Sequence, residues 1–214
     1  MKKMNELQLD AVKEICTTCT ANATTAISKM VNQKINMSIP EIKIVPLNEV
    51  SSNICGCSEL VSGIYCRLAG DLSGGFLLTL PRKTSMVLSD ILLNKKMGKT
   101  KLLGTMEKSA LTEFGNIIIG AFVNYLAKTT DKYIYITVPS LSYDVVDAII
   151  DNILIELAEE TEYALVMKMC FNDASENICG QFFLIPNQSS LDLILSAVNS
   201  QIKEIKKHGK NTGK

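Results

Sequence analysis

The chain has no tryptophan and one histidine, His208, among 214 residues. That histidine lies in the polar segment KKHGKNTGK, so imidazole acid–base catalysis and a Ser–His nucleophile pair fall away. Surplus charge of either sign is missing too, with Lys plus Arg and Asp plus Glu both at 22. No net field then favours nucleic acid or an acidic membrane surface. No apolar run approaches the roughly 20 residues of a membrane span. The start, MKKMNELQLD, has no apolar core behind its lysines of the kind a signal peptide carries. The seven cysteines are an odd count, which argues against a secreted disulfide framework and for a reducing cytoplasm.

Two cysteine pairs, CTTC (Cys16, Cys19) and CGC (Cys55, Cys57), are the only arrangement with any likeness to a zinc ligand set. Cys16 and Cys19 fall inside a helical pattern, and Cys66, Cys170 and Cys179 have apolar neighbours. The expectation is therefore free thiols acting as small hydrophobes, with no metal site. A thiol-based metal or redox sensor is the remote reading.

What the chain does contain is a repeat. LDAVKEICTTCTANATTAISKMVNQKINMSIPEI aligns with KSALTEFGNIIIGAFVNYLAKTTDKYIYITVPSL at an offset of 99, placing Glu14 on Glu113, Ala21 on Gly120 and Pro40 on Pro139. Further on, GFLLTLP matches GQFFLIP at an offset of 105. A period this long points to a duplicated unit rather than a solenoid. Each half reads as a long helix, a strand, a hairpin and a short helix. The first long helix spans about Glu6 to Gln33, and Gly70–Asp71 marks a hairpin turn. Asp147–Glu156 is ambiguous and fits an extra strand before the second hairpin. The expected fold is α/β of the α+β type, an antiparallel central sheet with helices on its faces and two pseudo-twofold-related halves. One domain of two repeats, about 6–95 and 105–199, would be followed by a polar tail at 200–214.

In the second long helix, Leu111, Phe114, Ile118, Phe122 and Tyr125 form one apolar stripe at about 100° per residue. Glu113 points away from it, and Ser109 and Asn116 share its side. Gly120 follows one turn later, despite a helix cost of about 1 kcal/mol relative to alanine, and opens a place where another surface can come close. The first helix has the same layout, with Asp10, Glu14 and Ala21 opposite Val12, Ile15, Cys19 and Ala23. Polar residues on a solvent face are ordinary. Ser109-x3-Glu113-x2-Asn116-x22-Pro139 mirrored by Asp10-x3-Glu14-x2-Thr17-x22-Pro40 is not.

This doubled pattern, with VPLNEV, GDLSGG and LTEFGNIIIGAFVN, resembles the CheC phosphatases of bacterial chemotaxis, relatives of CheX and FliY, over about Glu6 to Asn199. The resemblance implies a phosphatase for the phosphoaspartate of the response regulator CheY. Asn116 would orient the water, Glu113 would pair with a lysine of the partner, and Ser109 and Pro139 would support them. The divalent cation, Mg, would belong to the partner's site, and the chain would need no cofactor of its own. The first copy departs from the pattern: Thr17 stands where the family has asparagine, and Cys16 and Cys19 where it has glycines. Asp10, Glu14, Thr17 and Pro40 would thus form a degenerate site. The resemblance also implies contact with the receptor deamidase CheD through KTSMVLSDILLN, with Met86, Leu88, Ile91 and Leu92 as apolar anchors, and a monomeric protein. The alternative is a binding module for phosphorylated CheY or CheD with little hydrolysis.

Overall fold

The computed structural model describes residues 6–32, 34–50, 60–157, 163–172 and 177–211. Helix α1 (Glu6–Val31) leads into β1 (Asn36–Pro46) and a short 3₁₀ turn. The hairpin β2 (Leu60–Gly70) and β3 (Gly74–Pro81) follows, then α2 (Arg82–Leu92). The second half begins with α3 (Thr105–Thr130), then β4 (Ile134–Ile136), β5 (Ser140–Val145) and α4 (Val146–Leu157). It ends with the hairpin β6 (Tyr163–Asn172) and β7 (Asn177–Pro186) and with α5 (Gln188–Asn211). Both long helices have 26 residues and are followed by equivalent left-handed residues, Asn32 and Asp131. Asn and Asp are the non-glycine types that best tolerate that conformation.

All seven described strands form one antiparallel sheet, ordered β1-β6-β7-β3-β2-β4, with β5 also paired to β2. The halves exchange strands. β1 of the first half pairs with β6 of the second, and β4 and β5 of the second pair with β2 of the first. The repeated segments GFLLTLP and GQFFLIP meet at the centre. Leu77 and Leu78 correspond in the repeat to Phe182 and Phe183, yet Leu77 pairs with Phe183 and Leu78 with Phe182. Such crossed pairing is what a twofold axis between β3 and β7 produces. Pro40 occupies the irregular register between Ser38 and Glu41 on the edge strand β1, a position a residue without an N–H can hold. At the equivalent point in the second half Pro139 separates β4 from β5.

Side chains alternate across the sheet, so two cores form. On one face α1, α2, α3 and α5 pack over Ile64, Phe76, Leu78, Met167 and Phe182. On the other, α4 covers Val61, Leu77, Val166 and Phe183. The β2–β3 turn ties the halves together. Asp71 N donates to Tyr133 O at 2.9 Å, and Tyr133 N donates to Asp71 Oδ2 at 2.9 Å. Ser73 N donates to Ser190 Oγ at 2.8 Å. Gly70, at φ +103°, leaves only 2.3 Å from an added Cβ to Tyr133 O, so GDLSGG is a clamp that side chains at this position would break.

Two expectations need correction, on α4 and on the cysteines, and two others gain detail. Asp147–Glu156 lies in a helix, not a strand, because Ile149, Ile150, Ile153 and Leu157 all land on the sheet side of α4. The polar tail continues α5 as helix to Asn211. By length and composition α3 is long and apolar enough to cross a membrane, but half of that apolar window is buried inside the protein, as suits a core helix. Finally, not all cysteines are free thiols: Cys170 and Cys179, directly opposite on β6 and β7, form a disulfide.

Candidate functional site

Helix α3 starts where the Glu107 side chain reaches back to accept from Gly104 N at 3.0 Å and pairs with Lys95. Its inner face buries Leu111, Phe114 and Ile118 completely and Phe122 nearly so. At Gly115 an added Cβ would lie 2.6 Å from Ile64 Cγ2, so glycine brings the helix close onto β2. This inward anchoring fixes what the opposite face presents. Ser109 and Glu113 are exposed, and Asn116, Ile117 and Gly120 are half-buried at the surface. Among the described residues, the side chains of Ser109, Glu113 and Asn116 have no hydrogen-bond or ionic partner. At Gly120 an added Cβ would meet nothing within 4 Å.

A carboxylate that only accepts and a carboxamide that donates and accepts thus stand one turn apart, both uncommitted. Pro139 is not part of α3. It is half-buried in the link between β4 and β5, both of which α3 packs against.

On α1 the equivalent positions are differently occupied. Asp10, Glu14 and Thr17 are exposed. Asp10 pairs with Lys13 at 3.5 Å, and Thr17 Oγ1 donates to Lys13 O at 2.8 Å. The hydroxyl is therefore engaged by its own helix, a common fate of threonine in helices. Glu14 is unpartnered among the described residues. Beneath this face Cys16 and Cys19 are buried at 2% and 0% exposure, and Cys16 Sγ donates to Met167 Sδ at 3.4 Å. Burial pushes the thiols of Cys16, Cys19 and Cys66 up to about 12. Cys55 and Cys57 lie outside the described residues, among which no group of three metal-ligating side chains occurs.

Three of the four apolar residues named on α2 pack inward. Leu88, Ile91 and Leu92 are buried at 1%, 6% and 9% exposure in the core shared with α3, so they hold the helix to the sheet. Met86 alone of the four is half-buried. The sequence reading also passed over Asp90. It is fully buried, and its carboxylate accepts from Lys99 N and Thr100 N, both at 3.0 Å. The available signal was one acid within the apolar run SMVLSDILL.

The CheC-like family matches residues 106–143, the stretch holding Ser109, Glu113, Asn116 and Pro139. The chain is 27% identical over 203 residues to the CheY-P phosphatase CheC of Bacillus subtilis (strain 168), covering 93% of this chain and 97% of that protein. It is 24% identical over 210 residues to the flagellar motor switch phosphatase FliY of the same organism, covering 94% of this chain and 52% of FliY. Among solved structures, Thermotoga maritima FliY matches with a TM-score of 0.76 at 17% identity, over 94% of this chain and 99% of that one. The FliM middle domain of H. pylori matches at 0.64 and 12% identity, over 91% and 99%. At these identities the solved structures show a shared fold. Taken with the doubled motif, the nearly full-length match to CheC and the shared fold make this chain similar to the CheC and FliY proteins, most specifically over the stretch that holds Glu113 and Asn116.

Proposed function

We propose that this protein is a phosphatase for the phosphoaspartate of the chemotaxis response regulator CheY, acting through Glu113 and Asn116 on α3. One observation carries the reading. Glu113 and Asn116 face outward without partners among the described residues, on a helix whose other side is locked to the sheet. Hydrolysis of an acyl phosphate needs a water in line with phosphorus, and positioning with electrostatics dominates phosphoryl transfer. Asn116 accepts from and donates to that water without adding charge. Glu113, one turn earlier, pairs with a lysine beside the phosphorylated aspartate and sets the register of docking. Ser109 extends the polar contact, and Pro139 shapes the strand break on which α3 rests. The divalent cation, Mg, comes from the regulator, which also places the work in the cytoplasm.

The first site, Asp10, Glu14 and Thr17, keeps a carboxylate for docking but lacks the amide, so it binds without much turnover. This is the specific observation behind a second reading, a binding module for the phosphorylated regulator. A contact with CheD through α2 would have to use its outer side, with Met86 as the remaining anchor of the four. The chain is expected to act as a monomer.

The deciding experiment follows acyl-phosphate decay on the cognate regulator. Asn116→Ala is expected to lower turnover at least 100-fold, the usual scale for losing a positioned catalytic group. Thr17→Asn is expected to raise activity above wild type. Retention of most turnover by Asn116→Ala overturns the assignment.

A further inference from the structure

The loop joining α2 to α3 carries Lys95, Lys96, Lys99 and Lys101, and Lys108 follows in the first turn of α3. In a chain whose formal net charge is zero, this is a local concentration of one sign. The two acids bonded to this loop among the described residues, Asp90 and Glu107, are both committed. Asp90 is buried beneath the loop, and Glu107 holds Lys95. Lys96, Lys99, Lys101 and Lys108 are exposed and have no carboxylate partner among the described residues. Leu102 and Met106 stand beside them at 77% and 67% exposure.

The loop is built rather than slack. Lys95 N donates to Asp90 O at 2.8 Å and Lys99 N to Lys96 O at 3.1 Å. The Asp90 carboxylate takes Lys99 N and Thr100 N, and Thr100 is buried at 7% exposure. A backbone fixed in this way lowers the ordering cost of a docked partner. It also adjoins the candidate site. Met106 precedes Glu113 by seven residues, two helical turns and about 10 Å, and so shares its face.

We propose that this lysine loop, with Leu102 and Met106, is the docking shoulder for the acidic surface around the regulator's acyl phosphate. The proposal rests on the reading of Glu113 and Asn116 as the phosphatase site. A phosphoaspartate site gathers carboxylates around its divalent cation and carries the phosphate itself, so its rim is anionic. Lysines about one Debye length from such a rim steer encounter and fix orientation. The two apolar side chains supply area that excludes water at the contact.

The test uses the full chain carrying Lys96→Glu, Lys99→Glu and Lys101→Glu together, with Leu102→Ser as a separate variant. Thermal melts verify that each remains folded. For the triple variant, KM for the phosphorylated regulator is expected to rise roughly tenfold with kcat kept within about twofold, and the salt dependence of kcat/KM to flatten. Its Kd for the regulator activated with beryllium fluoride should rise in parallel, and Leu102→Ser should raise Kd without changing the salt slope. Unchanged KM and Kd in the triple variant overturn the docking surface while leaving the phosphatase reading intact. Lysine-dependent binding by a wild-type protein that never hydrolyses the regulator does the reverse. Absence of wild-type binding overturns both. Lysine-dependent binding to phosphatidylserine vesicles, with regulator binding unaffected, also overturns the proposal and assigns the patch to an anionic lipid surface.

Discussion

An alanine methyl at Gly115 would meet Ile64 Cγ2 at 2.6 Å, whereas one at Gly120 would meet nothing within 4 Å. The two glycines therefore answer to different neighbours, one inside the protein and one outside it. Gly115→Ala is expected to destabilise by about 1–3 kcal/mol through overpacking against β2, read as a lowered midpoint in denaturant. Gly120→Ala should leave stability unchanged or raise it by up to about 1 kcal/mol. If a partner presses on that spot, Gly120→Ala will weaken regulator binding even so. Unaltered binding would mean the open space is unused. At this scale the repeat made Glu113 and Asn116 legible, because a motif seen twice exposes its own exceptions, and Thr17 stood out as one. Cys170 with Cys179 was hidden for the opposite reason. Their contact depends on strand register, to which a separation of nine residues gives no guide.

For elements, the approach to α3 is held by groups that titrate or hydrogen-bond. The Lys95 side-chain hydrogen bond, helped by backbone N–H groups, holds the Glu107 carboxyl below the usual carboxylate range. A depressed acid stabilises the folded state above its unfolded pKa and loses that contribution as pH falls through the lower folded value. Protection against hydrogen exchange in the first turn of α3, corrected for the intrinsic rate, should therefore fall on acidification below the ordinary glutamate range, and Glu107→Gln should abolish that pH dependence. Asp90→Asn replaces one of two acceptor oxygens by a donor facing a backbone N–H. A buried unpaired donor costs about 1–3 kcal/mol, so the melting temperature is expected to drop, with the α2–α3 loop losing protection first. Helix α4 shows where element reading fails. A run such as AIIDNILIEL has too many branched aliphatics for either period to stand out, and only the sheet face beneath it selects the helix.

For the whole molecule, helix faces were readable but strand order was not, since no short-range pattern says which hairpin a strand will join. β1 lies beside β6, and β4 and β5 lie beside β2. Neither half closes its own sheet. Chains covering residues 1–98 or 99–214 alone are expected to be unfolded by circular dichroism. Mixing the two should restore the far-ultraviolet signal, because each supplies the strand the other lacks. A half that folded cooperatively by itself would contradict this dependence.

The strand exchange also bears on how the two copies could diverge. Every rung of the central ladder is shared property, answerable to both halves, whereas the outward side of each long helix answers to no internal neighbour. Drift could thus leave one copy without an amide while the scaffold underneath stayed whole, which on the proposed reading leaves a duplicated protein with a single catalytic face.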